Sequence, residues 1–363
     1  MSSITIEKED SNNHSSSTDY IENNEGKTNI DQEVPPILNP PFSDHSIEIY
    51  RDGHYAKLTN GWTWYQLFEP QVNHENSTIT PRLLKNLKEK TFTMPTKFIV
   101  CFHGITWWSM SFHRLVQSFV ENGYTVLLFD FYGRGRSCAP ETLTYSLDMF
   151  VSQAIDLLDY LEITDMINLV GYSMGGAVAT LFASTFPQRI NRLIGMGPAI
   201  VPVPIPFIGK LVTMGYGVGK FLFSLFGAQS LLRKVETERF SMDIHEPENI
   251  DPLIIDDLVE KVKWLIEKKP GYLNSFHNTL CSIDFGRGNV ELLTQITSQQ
   301  NLKVLIILGN KDQIIPYEEA LLIFKNNLPH AKIETIMNCG HAFTLEKPLE
   351  LSEAIIKFLK EPL

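Results

Sequence analysis

The sharpest chemical signal in the chain is Gly171-Tyr172-Ser173-Met174-Gly175-Gly176, directly after the strand-like Ile167 to Val170 and directly before a helical segment. A serine at a tight strand-to-helix turn is held in a strained backbone conformation. Glycines flank it because the turn brings neighbouring backbone too close for a Cβ. The helix N-terminus supplies backbone N–H groups, that of Met174 among them, where an oxyanion would form. A lone hydroxyl is a weak nucleophile near neutral pH, so it needs a base and a group to orient that base. His341, in Asn338-Cys339-Gly340-His341, follows the strand-like Lys332 to Met337 and precedes the last helix. Asp312, in VLIILGNKDQIIP, follows another such run. The alternative strand end, after Leu193 to Met196, carries Gly197-Pro198 and no carboxylate. Asp312 is therefore preferred over Asp243, Asp256 and Asp257. The order Ser, Asp, His suits a triad on the ends of parallel strands.

Two further loops follow strand-like runs. His103-Gly104-Ile105 comes after KFIVCF, and the Ile105 amide can add a second donor to an oxyanion site beside Met174. His103 reads as structural, since His341 has the better placement for a base. Gly104, Gly171 and Gly175 support these turns. Asp130 to Ser137 (DFYGRGRS) fits neither phosphate-loop spacing and reads as a tight turn whose Asp and Ser satisfy backbone groups.

These residues need a scaffold that brings distant strand ends to one edge. Apolar runs at 97–102, 124–129, 166–170 and 304–308 alternate with helix-periodic segments at 112–120, 147–161, 176–186 and 317–327. A strand at 332–337 and a helix at 349–359 close the chain. Apolar strands that do not alternate, separated by helices, predict a doubly wound parallel sheet covered on both faces. Ile47 to Tyr50 and Trp62 to Phe68 read as short strands, and 71–90 as a lysine-rich excursion. Residues 1–45 read as a disordered polar tail, 46–198 and 299–363 as the α/β core, and 199–298 as a helical cap.

Composition narrows the function. The chain has 363 residues, 43% hydrophobic and 20% charged, enough for a large core. Of the net charge of −11, residues 1–45 hold −7, so the near-neutral remainder lacks an electrostatic footprint for nucleic acid. Four scattered cysteines suggest buried thiols, not a disulfide framework or metal site. The start of the chain is acidic and polar, unlike a secretory signal. The uncharged stretches at 166–188 and 193–209 are interrupted by glycines and prolines, which argues against spanning helices. A cytoplasmic protein, with peripheral contact to an intracellular membrane through an apolar cap, is the expectation.

On four motifs in order, His103-Gly104, Asp130 to Ser137, the Ser173 elbow and the Asp312/His341 pair, the segment from about Lys97 to Leu363 resembles the α/β-hydrolase superfamily, specifically its capped serine esterase and lipase branch. The resemblance implies an eight-stranded, mostly parallel sheet with a helical cap between strands six and seven, and no cofactor. It further implies Ser173 as nucleophile, Asp312 as orienting acid and His341 as base. Similar enzymes include acylglycerol lipases, carboxylesterases and carbon–carbon bond hydrolases. The sequence departs from many relatives after the HG pair, with Ile105-Thr106-Trp107-Trp108 in place of small residues. Trp107, Trp108 and Tyr172 are therefore expected to shape the acyl pocket.

The cap run 201–227, with Phe207, Tyr216, Phe221, Phe223 and Phe226, either roofs an apolar pocket, rests on lipid or simply packs the cap. A small-molecule or lipid ester, such as a monoacylglycerol, is the expected substrate, with activity falling as His341 protonates near or below pH 7. Two alternatives stay open. A carbon–carbon hydrolase would hold a dienol acid with Arg233, Lys234 and Arg239, and a hydrolase-fold ligand sensor would turn over little.

Overall fold

The computed structural model describes residues 39–41, 43–73, 78–83, 97–205, 207–213, 219–299 and 302–362. The strands are β1 (His54–Leu58), β2 (Gly61–Asn73), β3 (Thr78–Leu83), β4 (Phe98–Phe102), β5 (Thr125–Phe129), β6 (Ile167–Tyr172), β7 (Ile190–Met196), β8 (Lys303–Gly309) and β9 (Lys332–Ile336). They form one sheet in the order β1-β2-β5-β4-β6-β7-β8-β9, with β3 paired to β2 off that path. From β5 to β9 every neighbouring pair is parallel, while β1, β2 and β3 are antiparallel. The path has the eight strands expected. The ninth is β3, which turns part of the expected excursion at 71–90 into a hairpin arm, with residues 74–77 and 84–90 outside the described residues. The expected strand at Ile47 to Tyr50 is irregular chain, although Ile47 is buried.

The helices are α1 (His113–Glu121), α2 (Leu147–Tyr160), α3 (Met174–Thr185), α4 (Phe207–Thr213), α5 (Lys220–Arg233), α6 (Pro252–Lys268), α7 (Tyr272–Ser282), α8 (Glu291–Thr297), α9 (Tyr317–Asn327), α10 (Phe343–Glu346) and α11 (Pro348–Leu359). The continuous apolar run of β4 is split by the pleat. Phe98, Val100 and Phe102 face the core made with α2, α3, α8 and α9, whereas Ile99 and Cys101 face the one made with α1 and α11. Burial on both faces explains why the sequence of such a strand shows no alternation.

Helices α4 to α7 leave the sheet between β7 and β8. The described part of the following α8 returns to it, because Leu293 and Ile296 pack into the same core as α3 and α9. The core therefore resumes before the expected boundary at 299. The expected tail is corrected as well. Residues 1–38 lie outside the described residues, but the chain from Asn39 is already held on the body. The Pro41 carbonyl accepts from Lys261 Nζ at 2.6 Å, and Ser43 Oγ donates to Asp257 at 3.0 Å. The reason is electrostatic. Lys261 and Asp257 form a buried ion pair on α6, and such a pair is tolerated only when its remaining hydrogen-bonding capacity is filled.

Candidate active site

Ser173 joins β6 to α3 with φ 55° and ψ −121°, a left-handed region that a residue with a Cβ rarely enters. Its neighbours hold it there. The Ser173 N–H donates to the Met196 carbonyl at 3.0 Å, and its own carbonyl accepts from Ala199 at 2.9 Å. The glycines of the motif are a packing requirement. A Cβ on Gly175 would lie 2.1 Å from the Phe102 carbonyl oxygen, and one on Gly171 would lie 2.4 Å from that of Gly175. This close approach seats the start of α3 against the end of β4. Met174 is the first residue of α3, so its N–H belongs to the turn that has no intrahelical acceptor.

His341 lies beyond β9 and Asp312 beyond β8, at the carboxyl edge where β6 delivers Ser173. His341 Nδ1 is 2.7 Å from Asp312 Oδ2. Asp312 is fixed in turn, because its Oδ1 accepts from the N–H groups of Ile314 and Ile315, both at 2.8 Å. With Nδ1–H donating to the carboxylate, the neutral imidazole keeps its lone pair on Nε2, and that atom is buried with no hydrogen-bond partner among the described residues. Ser173 and His341 line the same cavity. Burial by itself would lower the His341 pKa. The charge and hydrogen bond of Asp312, with Asp243 and Glu346 adding, reverse this and raise it above its ordinary 6.5. Tyr172, the last residue of β6, donates its hydroxyl to the His341 carbonyl at 2.9 Å.

His103 has different partners. It is fully buried, its Nε2 accepts from the Phe131 N–H at 2.8 Å, and its Nδ1 lies 2.7 Å from the Gly104 carbonyl. With Nε2 occupied as acceptor, Nδ1 is the donor. Burial lowers its pKa to about 3. The bond has a geometric consequence. Gly104 C=O and Ile105 N–H belong to one planar trans peptide, so tying the carbonyl one way turns the N–H the other way. Arg134 Nε holds the next carbonyl, that of Ile105, at 3.1 Å, while its Nη2 reaches Thr279 of α7 at 2.9 Å. Two successive carbonyls of this loop are thus pinned. Gly104 brings it close to the nucleophile turn, since a Cβ there would lie 3.4 Å from Ser173 Cβ. The expected turn at Asp130 is also present, with Oδ2 accepting from Arg136 N–H at 2.7 Å and Oδ1 from Ser109 Oγ at 2.6 Å.

The cavity beside Ser173 has a volume of about 340 Å³. Ile105, Trp107, Tyr172 and Met174 line it from the core side. Trp108, expected beside Trp107, does not. The backbone at Trp108 is extended, which sends adjacent side chains to opposite sides, and its ring is buried in the core. Of the cap aromatics named from sequence, Phe221, Phe223 and Phe226 do not line it either. Phe221 and Phe226 are exposed, Phe223 stacks on His277 instead, the Phe207 side chain is not described, and Tyr216 lies outside the described residues. The cap wall comes from Phe240, Tyr272, Phe276 and Phe285, with Val203 and Ile205. The spacing of Tyr272, Phe276 and Leu280 on α7 is the signal that would have found part of it. Among the described residues, Lys234, Glu238 and Asp243 also line the cavity. Arg233 does not line it, and Arg239 pairs with Asp256 at 2.6 Å on the surface.

Glu346 was also missed. Its Oε1 accepts from the Gly340 N–H at 2.9 Å and its Oε2 from the His245 N–H at 2.8 Å, tying the His341 loop to the cap. Among the described residues no three His, Cys, Asp or Glu side chains gather as a metal site. The four cysteines are free.

Known proteins agree with this geometry at the level of the fold. The family model of the α/β-hydrolase fold matches residues 97–348. The chain belongs to that family. This α/β hydrolase is 29% identical over 273 residues to a 2-hydroxy-6-oxononadienedioate/2-hydroxy-6-oxononatrienedioate hydrolase of Pseudomonas sp, covering 72% of this chain and 87% of that protein. Its fold is similar to a bromoperoxidase from Bacillus anthracis, with a TM-score of 0.64 at 20% identity over 85% of this chain and 100% of that one. An esterase from Exiguobacterium antarcticum gives a TM-score of 0.60 at 18% identity, again over 85% of this chain and 100% of the other.

Proposed function

We propose that this α/β hydrolase is a serine esterase acting on esters with an apolar acyl group, monoacylglycerols being representative. Ser173 Oγ attacks the ester carbonyl as its proton passes to His341 Nε2. The N–H groups of Ile105 and Met174 hold the oxyanion, and Asp312 stabilises the imidazolium. Collapse breaks the carbonyl–alkoxide bond and hands the proton to the departing alcohol. Water, deprotonated by His341, then repeats the sequence on the acyl-enzyme.

The observation that carries the substrate class is the cavity lining. Its walls are aliphatic and aromatic, and among the described residues that line it the cation Lys234 is outnumbered by Glu238 and Asp243. An uncharged acyl chain suits such walls, whereas an anionic one would sit beside two acidic side chains.

A second reading is favoured by the 29% identical relative. The dioate in that protein's name contains no ester, so its hydrolysis breaks a carbon–carbon bond. Of the three cations sequence offered for such an acid, Lys234 alone borders the cavity. The deciding experiment combines a fluorophosphonate probe with turnover of p-nitrophenyl esters of increasing chain length and of a dienol dicarboxylate. Labelling that is lost in Ser173→Ala, with turnover rising towards medium and long acyl chains, is the expected result. Preference for the dicarboxylate would replace this reading with the second one. Absence of labelling in the unmodified protein would leave a ligand sensor.

A further inference from the structure

Helix α5 (KFLFSLFGAQSLLR) carries large apolar side chains on both its inner and its outer side, between Lys220, Ser224, Gln229, Ser230 and Arg233. Its inner side is accounted for: Phe223 stacks on His277 of α7 at 4.7 Å, Gly227 is buried, and Leu231 lines the cavity. Its outer side presents Phe221 (61% exposed), Leu225 (52%) and Phe226 (60%) to solvent, and Leu211 of α4 is exposed as well (37%). A helix hydrophobic on both faces belongs in a core or at a lipid boundary. The charge around it is equally one-sided. From Ala199 to Val235 there is no Asp or Glu, but there are Lys210, Lys220, Arg233 and Lys234, in a chain whose net charge is −11.

We propose that the outer face of α4 and α5 docks on an anionic lipid bilayer, with Phe221, Leu225 and Phe226 entering the acyl boundary and Lys210 and Lys220 meeting headgroup charge. No described helix is long and apolar enough to cross a membrane, so the contact lies in the interface plane. Because Leu231 of the same helix borders the cavity, the bound orientation sets the candidate site next to the bilayer. The docking is a property of the cap and does not depend on chemistry at Ser173.

The test uses the full-length Ser173→Ala chain in co-sedimentation with phosphatidylcholine vesicles, with and without phosphatidylserine. Binding to the anionic vesicles is expected, falling as salt screens the lysines. Phe221→Ser with Phe226→Ser should cut the bound fraction roughly tenfold, and Lys210→Gln or Lys220→Gln about fivefold each. These exposed positions should leave the thermal unfolding midpoint unchanged, which separates lost docking from lost folding. No binding to either vesicle, or variants that bind like the parent, would overturn the proposal. So would a dimer in solution that the phenylalanine variants dissociate, since the occupant would then be a second copy. Binding seen only after removal of residues 1–38 would make the acidic N-terminal segment the occupant and overturn it too. Absence of esterase activity in the unmodified protein would leave this result untouched.

Discussion

His103 and His341 are both buried histidines beyond the ends of parallel strands, yet their pKa values move in opposite directions. His103 faces a carbonyl and an N–H, and burial carries it down to about 3. His341 suffers the same desolvation, but the Asp312 carboxylate at 2.7 Å outweighs it and the pKa rises. Burial does not make a base; the partner does. The consequences for stability also oppose each other. His341 prefers its protonated form when folded, so its contribution is full below pH 6.5 and is lost as pH rises through the raised value. His103 must stay neutral, so its contribution is full above pH 6.5 and erodes as pH falls towards 3.

The contrast is broken most directly at Asp312. Asp312→Asn should lower kcat about 10⁴-fold on p-nitrophenyl esters, with the remaining activity showing an acid limb displaced to lower pH. A loss of only about tenfold would mean another carboxylate orients His341. His103→Ala tests the other half. It removes the bond that turns the Ile105 N–H, so kcat should fall about 10²-fold with KM little changed and the acid limb unmoved. The buried Phe131 N–H left without an acceptor should cost about 1–3 kcal/mol in urea unfolding. A displaced acid limb in this variant would make His103 part of the proton chemistry. In the unmodified protein, activity should fall as pH drops through a value above 6.5, as Nε2 is protonated. A flat profile between pH 5 and 8 would remove His341 as base.

The difference between the two histidines was legible because each lies in a short motif whose neighbours define its surroundings. HG follows one strand and GH follows another, and the turn residues needed at each place are local. The elbow was legible for the same reason, since Gly171 and Gly175 answer to contacts within a few residues and one neighbouring strand end. The cavity wall was not. Helix α5 spreads both its apolar and its polar residues around the axis, so its periodicity does not single out which phenylalanines face inward, and Phe221 and Phe226 face solvent. Trp107 and Trp108 are adjacent and alike in type, and only the local backbone separates cavity from core. Glu346 gave no spacing signal, because its partners are backbone amides of two distant loops.

Those unread positions provide the finer tests. Trp107 meets Phe240 edge-on at 5.7 Å and closes one side of the cavity. Trp107→Ala should move the preferred acyl chain to greater length, with the kcat/KM ratio between long and short esters changing about tenfold. The smallest effect is expected at Asp243, which lines the same cavity and adds to the field that raises His341. Burial raises the Asp243 carboxyl itself, opposed by His341 and Lys234. Asp243→Asn removes one negative charge from the neighbourhood of the imidazole while leaving the Asp312 bond intact. The acid limb of kcat/KM should therefore move to lower pH, by less than in Asp312→Asn, with the plateau rate nearly unchanged. An unmoved acid limb would mean that Asp243 is already neutral when His341 titrates. Equal displacements in the two variants would mean that charge in the cavity, and not the short bond to Asp312, distinguishes His341 from His103.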